Sequence, residues 1–184
     1  METNPSQTAI RPLQDSDPPV IEAAFAGIGW SKPAEQYERY LDEQRADRRR
    51  VFVAEVEREF AGYVTLNWHP DYPPFREAEV PEIQDLNVLP PFRERGLGAA
   101  LVRAAEDAAR ERSAVVGIGV GLGSDYGSAQ RLYVRLGYVP DGCGVAYSDR
   151  IVVPGERVVV DDDLVLHFTK RLAAEPAPAG RRGA

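Results

Sequence analysis

The sequence predicts an α/β domain built on a mixed sheet, and three observations support this class. Short alternating or wholly apolar stretches rich in Val, Ile and Phe are typical of strands. Longer stretches with apolar residues three or four apart are typical of helices. In the second half of the chain the two kinds alternate: a strand that ends near Val88 leads through a helix to an apolar strand at 114–120, which favours parallel pairing of the two strands.

The composition is that of one globular domain. Of the 184 residues 43% are hydrophobic and 28% charged, which suits a single core. No apolar stretch is long enough for a secretory signal or a membrane span, so we expect a cytoplasmic protein with no membrane partner. Cys143 is the only cysteine, which excludes an intrachain disulfide and a cysteine-based metal cluster. We expect its thiol to be buried and inert.

The charge balance bears on partners. The 22 Lys and Arg residues against 29 Asp and Glu give a net charge of −7, which disfavours a nucleic-acid partner and favours cationic ones. The short basic run Arg45, Arg48, Arg49 and Arg50 is interrupted by Asp47, and we interpret it as a solvated helix end.

The first half of the chain predicts three strands and two helices in the order strand, helix, helix, then a hairpin. The predicted elements are a strand at 8–12, a helix from Asp15 to Gly27, a helix at 30–45, and hairpin strands at 50–56 and 60–68. Residues 1–7 are expected to be disordered. Tyr37, Tyr40 and Leu41 form an apolar stripe on the second helix, which indicates core packing.

Residues 69–76 contain three prolines and predict a long surface loop. Trp68, Tyr72 and Phe75 bring aromatic rings to this loop. Two interpretations remain open: an aromatic wall over a substrate, or a loop that packs on its own side chains.

The central strand, 81–88, has an irregular apolar pattern. Ile83 is odd-numbered whereas Leu86 and Val88 are even-numbered, so a regular strand would place them on opposite faces. We predict a β-bulge near Gln84 and Asp85 that bends the strand and opens a gap beside its neighbour. The alternative is that Ile83 packs on the second face of a sheet covered on both sides.

A glycine-bearing turn follows this strand and opens a helix. Apolar residues recur at helical spacing from Leu97 to Ala108 and predict that helix. Gly96 and Gly98 lack Cβ atoms, and helix N-termini bind anions, while Arg93 and Arg95 add positive charge. From the glycines alone, a pyrophosphate site and an ordinary strand-to-helix loop remain equally acceptable interpretations.

The common nucleotide motifs are absent. A dinucleotide fingerprint needs a third glycine where Leu101 stands, and no G-x-x-x-x-G-K-[ST] run exists. His69 and His167 have no metal-ligand spacing, and neither Ser124 nor Ser128 lies in a G-x-S-x-G elbow. We therefore expect no metal.

The rest of the chain completes the predicted sheet. After the strand at 114–120, whose Gly117 and Gly119 suggest close approach of a ligand or a neighbouring backbone, the sequence predicts a helix and two closing strands. The helix spans 128–136 and the strands 144–147 and 164–170. The acidic run at 161–163 indicates a solvated turn, and the tail at 173–184 is expected to be disordered.

Two motifs carry a family resemblance. The run R-x-x-G-x-G at Arg93, Gly96 and Gly98 resembles the acyl-CoA-binding signature of the GNAT acetyltransferase superfamily. About 30 residues later, A-x-x-L-Y followed by G-Y resembles the second signature of that family, and the matching residues are Ala129, Leu132, Tyr133, Gly137 and Tyr138. One departure is Tyr126, which stands where many members have an asparagine that contacts the pantetheine arm.

The resemblance implies a GNAT domain over 8–172, with a mixed central sheet of about seven strands, a splayed and bulged central strand, and helices on both faces. It implies an N-acetyltransferase that moves an acetyl group from acetyl-CoA to a primary amine in a ternary complex. Glu82, eleven residues before Arg93, matches the glutamate base of the histone-acetylating branch, and Asp85 is its rival. Tyr133 matches the tyrosine acid.

The resemblance also implies which residues bind the coenzyme. Leu86 and Val88 supply backbone groups for the thioester oxygen and the pantetheine amides. The turn and helix start bind the diphosphate through Arg93, Glu94, Arg95, Gly96, Leu97, Gly98 and Ala99. The acceptor is expected to be a small cationic amine or a peptide amine, and a homodimer is left open. The rival hypotheses are a non-catalytic acyl-CoA sensor and a nucleotide-binding enzyme.

Overall fold

A computed structural model describes residues 8–173, and the predictions for residues 1–7 and for the tail beyond residue 173 lie outside that range. Within it the chain forms eight strands and five α-helices. The strands are β1 (Thr8–Pro12), β2 (Arg49–Val56), β3 (Glu59–Asn67), β4 (Glu82–Val88), β5 (Val115–Gly121), β6 (Val139–Tyr147), β7 (Arg150–Ile151) and β8 (Leu164–Arg171). The helices are α1 (Asp17–Ala26), α2 (Ala34–Arg45), α3 (Pro73–Glu77), α4 (Leu97–Ala109) and α5 (Gly127–Arg135).

The strands form one mixed sheet in the order β1-β2-β3-β4-β5-β8-β6-β7. Among these eight strands of residues 8–173, only β4 and β5 pair in parallel, and α4 connects them, as the apolar pattern predicted. The predicted α/β class and mixed sheet are confirmed, and the two-residue β7 adds an eighth strand at the edge. Helix α2 begins at Ala34, because Pro33 lies at its N-cap in an extended conformation.

The two faces of the sheet have different cores. On one face, α4 and α5 cover an apolar cluster that includes Leu66, Ile83, Leu101, Ile118 and Tyr133. On the other face, α1 and α2 cover a second cluster. The second cluster consists of Leu13, Ile21, Phe25, Tyr37, Leu41, Val51, Val53, Tyr63 and Leu89. Both faces of the sheet are therefore covered, as predicted.

The segment at 69–76 is not the surface loop that its prolines suggested. It contains α3, and both Tyr72 and Phe75 are buried, because their rings pack on each other at 4.9 Å and on His167 of β8. Of the two interpretations, packing on its own side chains is the closer one, with the sheet as an additional partner.

The glycines of β5 accommodate side chains rather than a ligand or a backbone. A Cβ atom on Gly117 would lie 2.2 Å from the ring of Phe75, and one on Gly121 would lie 2.5 Å from the ring of Tyr126. The expectation for Cys143 was also wrong: its side chain is exposed, since it lies in the irregular part of β6 between Pro140 and Val145.

Candidate active site

The central strand β4 separates from β5 after two paired residues. The two strands pair only at Glu82 with Gly117 and at Ile83 with Ile118. Between Gln84 and Asn87, β4 has one residue more than the opposing segment of β3, and Asp85 adopts a φ of 53°. This is the predicted β-bulge. Beyond Ile83, the edge of β4 that faces β5 has no strand partner within residues 8–173, whereas the other edge still pairs with β3.

The bulge also explains the irregular apolar pattern. Ile83 belongs to the cluster beneath α4, and Leu86 and Val88 pack against the same cluster. One extra residue therefore brings odd- and even-numbered side chains to one face, as predicted.

The turn before α4 is shaped by two left-handed residues. Glu94 has a φ of 63° and Gly96 a φ of 81°, and a Cβ on Gly96 would meet no atom within 4 Å. Gly98 lies close to α5 and β4: a Cβ there would lie 3.3 Å from Cδ2 of Leu132 and 4.0 Å from Leu86 and Val88 side-chain atoms. Gly96 thus provides the left-handed conformation of the turn, and Gly98 allows the side chains of Leu132, Leu86 and Val88 to approach the start of α4 closely.

The first amides of α4 are available to a ligand. The N–H of Ala100 donates to the carbonyl of Gly96, which closes the first helical turn. Those of Leu97, Gly98 and Ala99 have neither a backbone acceptor nor a side-chain cap within residues 8–173. Unpaired N–H groups at a helix N-terminus bind anions.

The arginines beside this turn are partly engaged. The Nε of Arg93 donates to the carbonyl of Val88 at 3.0 Å, and its guanidinium lies 5.7 Å from the ring of Trp30. The guanidinium of Arg95 lies 5.7 Å from the ring of Phe92. The Val88 carbonyl, implied as a pantetheine contact, therefore already accepts a hydrogen bond from Arg93.

Tyr133 lies on α5 with 5% of its surface exposed, and its ring is 6.1 Å from that of Tyr138. Burial raises the pKa of the Tyr133 phenol above its ordinary value of 10, because the phenolate would lose its hydration. The side chain is therefore protonated at neutral pH and can serve as a proton donor. The neighbouring Tyr126 donates a hydrogen bond to Asp162 at 2.8 Å.

Glu82 is a buried carboxyl at the start of β4, on the face of the sheet opposite α4. Its side chain is 6% exposed, Oε2 accepts a hydrogen bond from Gln84 at 2.8 Å, and Oε1 lies 3.6 Å from Nε2 of His167. Burial raises the pKa of Glu82 to about 7, because desolvation destabilises the carboxylate. At neutral pH the group therefore exchanges a proton readily.

Arg49 connects Glu82 to helix α2 through Gln84, which binds both residues. The guanidinium donates to Gln84 at 3.0 Å, to Thr65 at 2.8 Å, and to Glu43. Only 8% of Arg49 is exposed, so the interpretation of this basic run as a solvated helix end was wrong for this residue. A buried guanidinium needs such partners, and β2 turns the side chain inward onto the sheet face.

Asp85, the second candidate base, joins the same network. Its carboxylate accepts hydrogen bonds from the hydroxyl of Tyr40 and, at 3.3 Å, from Gln36. The guanidinium of Arg49 lies 4.7 Å from the Tyr40 ring. Tyr40 therefore contributes its hydroxyl to the candidate site, although its helical stripe indicated a core residue.

A family model settles which fold family this arrangement belongs to. The model described as the acetyltransferase (GNAT) family matches residues 9–138, which is more than half of the chain. The chain belongs to the GNAT acetyltransferase family. The family match includes the bulged strand β4, the turn before α4 and the helix that carries Tyr133.

Individual relatives agree with this assignment. The chain is 41% identical over 69 residues to an uncharacterized N-acetyltransferase from Archaeoglobus fulgidus, over 36% of this chain and 45% of that protein. The chain thus spans less than half the length of that curated relative.

Two solved structures share the GNAT fold with this chain. One is yncA from Salmonella typhimurium with its cofactor acetyl-CoA, which has a TM-score of 0.66, is 19% identical and covers 95% of this chain and 99% of that one. The other is spermidine N-acetyltransferase from Vibrio cholerae in complex with CoA and spermine, with a TM-score of 0.61, 17% identity, and coverage of 90% and 95%.

The sequence analysis missed several polar residues of the candidate site. Arg49, Gln84, Tyr40 and Gln36 lie beside the candidate carboxylates, and His167 reaches Glu82 from β8. Each belongs to a pattern that also fits an ordinary helix or strand, so no local signal identified it.

Among residues 8–173, no group of three or more His, Cys, Asp or Glu side chains could hold a metal ion. None of the helices in that range is both long and apolar enough to span a membrane.

Proposed function

We propose that this GNAT protein transfers an acetyl group from acetyl-CoA to a cationic primary amine by direct attack in a ternary complex. The observation that carries the proposal is the position of Glu82. A buried carboxyl with a pKa of about 7 lies where β4 and β5 begin to separate, next to the edge of β4 that has no strand partner. A base with that pKa suits catalysis at neutral pH.

The donor half of the proposal uses the gap and the start of α4. Backbone groups of Leu86 and Val88 would line the pantetheine arm. The diphosphate would bind at the turn and the free amides of α4, through Arg93, Glu94, Arg95, Gly96, Leu97, Gly98 and Ala99. Support comes from the unpaired N–H groups and from the two left-handed residues that shape the turn.

The acceptor half assigns different roles to the two carboxylates. An alkylammonium group has a pKa of about 10.4, so it must lose a proton before it attacks the thioester. Glu82 accepts this proton, directly or through water. Asp85, whose carboxylate is oriented by Tyr40 and Gln36, attracts and places the cationic substrate.

Tyr133 completes the transfer. The amine nitrogen forms a bond to the carbonyl carbon, the carbon–sulfur bond breaks, and the thiolate leaves with a proton from the phenol. The buried phenol supports this role because it is protonated across the neutral range. Loss of a general acid or base typically costs on the order of 10²- to 10⁴-fold in rate.

A cationic acceptor is supported by charge. The chain carries a net charge of −7, and both site carboxylates lie on the face opposite α4. The spermidine N-acetyltransferase from Vibrio cholerae, which shares the fold, was solved with spermine, a polyamine. Polyamines are therefore the first acceptors to test, followed by lysine-bearing and N-terminal peptides.

The test is an acceptor screen with detection of free CoA thiol. We expect at least one amine to release thiol above the rate of acetyl-CoA hydrolysis, and Glu82→Gln to lower that rate at least 10²-fold while acetyl-CoA still binds. Binding of acetyl-CoA without turnover on any amine would support the sensor hypothesis instead. A thermal-shift preference for ATP or NAD over acetyl-CoA would support the nucleotide-binding hypothesis.

A further inference from the structure

His167 lies against Glu82 although the two are far apart in sequence. It belongs to β8, pairs with Gly119 of β5, and is 2% exposed. Its Nε2 is 3.6 Å from Oε1 of Glu82. Gly119 leaves room for the imidazole, because a Cβ at that position would lie 3.3 Å from Nε2 and Cδ2 of the ring.

Aromatic neighbours fix the orientation of this ring. Tyr72 stacks on the imidazole with centroids 3.6 Å apart and planes 4° from parallel, and Phe75 meets it edge-on at 5.4 Å. The Tyr72 hydroxyl donates to Asp141 of β6 at 2.8 Å, which anchors the stacked ring. The imidazole therefore cannot rotate without breaking these contacts.

The hydrogen bonding of His167 points to a role beyond packing. Its Nδ1 is buried and has no hydrogen-bond partner within residues 8–173. Burial lowers the pKa of His167 to about 4, because desolvation opposes the charged ring, so the ring is neutral at pH 7. A neutral ring carries one N–H, and Nε2 is the nitrogen that faces an acceptor.

We propose that His167 is a positioning residue for Glu82: its Nε2–H binds Oε1 while Gln84 binds Oε2, so that the carboxylate faces the acceptor amine in one orientation. This inference rests on the proposed function. The present separation of 3.6 Å is longer than a hydrogen bond, and catalytic hydrogen bonds commonly shorten when substrates bind.

Loss of the His167 donor should shift the pKa of Glu82 in one direction only. Charged groups also act on the pair from other elements: Arg49 favours the carboxylate, Asp71 and Asp149 oppose it, and Asp141 acts on the imidazole. A neutral N–H donor stabilises the carboxylate and lowers its pKa. In the substrate complex, removal of the donor therefore raises the pKa of Glu82 and moves the acid limb of kcat to higher pH.

The variant that tests this is His167→Phe, which keeps an aromatic ring for Tyr72 but removes the donor. At saturating substrates we expect the acid limb of kcat to move up by about one pH unit, while kcat at pH 9 stays within about twofold of wild type. His167→Gln, which supplies an N–H donor, should reverse part of that shift. The matched control is His69→Phe, which alters the other, exposed histidine. An unmoved limb in His167→Phe overturns the proposal.

A measurement on the unmutated protein keeps the inference testable if the variant does not fold. Imidazole ¹⁵N chemical shifts should show the Nε2–H tautomer and a titration step near pH 7 that reports Glu82, and Glu82→Gln should remove the step. An Nδ1–H tautomer, or no step, overturns the proposal. If Glu82→Gln leaves turnover intact, the assigned base is wrong. If it abolishes turnover and His167→Phe leaves the limb unmoved, only the role of His167 is wrong.

Discussion

The two sides of the candidate site differ in the groups that form them. The proposed donor side, residues 93–99 with the free edge of β4, offers mainly backbone N–H groups from one short segment. The proposed acceptor side, Arg49, Gln84, Glu82, Asp85, Tyr40 and His167, offers side chains from α2, β2, β4 and β8. A site of backbone groups depends on local conformation, whereas a site of side chains depends on how distant strands pair.

This difference predicts that variants separate into two classes. Changes on the donor side should weaken acetyl-CoA binding and leave the pH dependence of turnover unchanged. Changes on the acceptor side should alter turnover, pH dependence or stability and leave acetyl-CoA affinity unchanged. Tyr133 lies on α5 and packs in the cluster covered by α4, whose first turn belongs to the donor side. Its proposed role, however, is in turnover, so it is the strictest test of the division.

Tyr133→Phe should have the largest effect. It removes the proposed proton donor and leaves the buried ring in place, so turnover should fall on the order of 10²- to 10⁴-fold. Acetyl-CoA affinity, measured by calorimetry, should stay within about twofold of wild type. A matched control is Tyr147→Phe, which removes an exposed hydroxyl that donates to Asp161. Equal turnover in Tyr133→Phe and wild type would remove Tyr133 from the mechanism.

The donor side could be predicted from the sequence because it depends on local conformation. The bulge in β4 could be predicted because an odd-numbered Ile83 precedes even-numbered Leu86 and Val88. The turn before α4 could be predicted from its two glycines, and the structure adds that Gly96 adopts a positive φ. Both are local features within a few residues. The splay of β4 from β5 follows directly from that bulge.

On the acceptor side, the sequence predicted the two carboxylates but not the residues that contact them. Glu82 and Asp85 lie on the strand that carries the motif spacing, but the partners that orient them are distant in sequence. Tyr40 is 45 residues from Asp85, and His167 is 85 residues from Glu82. Arg49 sits in a basic run that reads as solvated, and Tyr40 in a helical stripe that reads as core. Periodicity assigns each residue to a face, but it does not report which residues meet there.

Arg49→Met should have the next largest effect, on stability. It leaves Gln84 and Thr65 without their donor inside the site, and Glu43 without its ion pair. Because Glu43 is partly exposed and regains water, we expect unfolding free energy to fall by about 2 to 3 kcal/mol. Chemical denaturation measures this, and Arg48→Met, at an exposed position, should be nearly neutral.

Arg49→Met also carries a second expectation that bears on the comparison. Since Arg49 favours the ionised form of Glu82, its loss should raise the pKa of Glu82 and move the acid limb of turnover to higher pH. Acetyl-CoA affinity should not change. If coenzyme affinity falls together with stability, the two sides are mechanically coupled and the division is wrong.

Gly98→Val should have the smallest effect, and it tests the donor side alone. The new Cβ would lie 3.3 Å from Leu132, whose side chain can shift, so the fold should tolerate it, but the added methyl groups would crowd the free amides at the start of α4. We expect the Kd for acetyl-CoA to rise about tenfold, or about 1.4 kcal/mol. Gly127→Ala, within α5 and with only Arg131 within 4 Å, is the matched control.

The pH profile decides what a Gly98→Val result means. At saturating acetyl-CoA, Gly98→Val should leave the acid limb of turnover at its wild-type position, because no titratable group of the acceptor side touches Gly98. A limb that moves with the coenzyme affinity would show that the diphosphate end of the site controls the ionisation of Glu82. The backbone site and the side-chain site would then form one unit, joined through β4, whose two ends carry Glu82 and Val88.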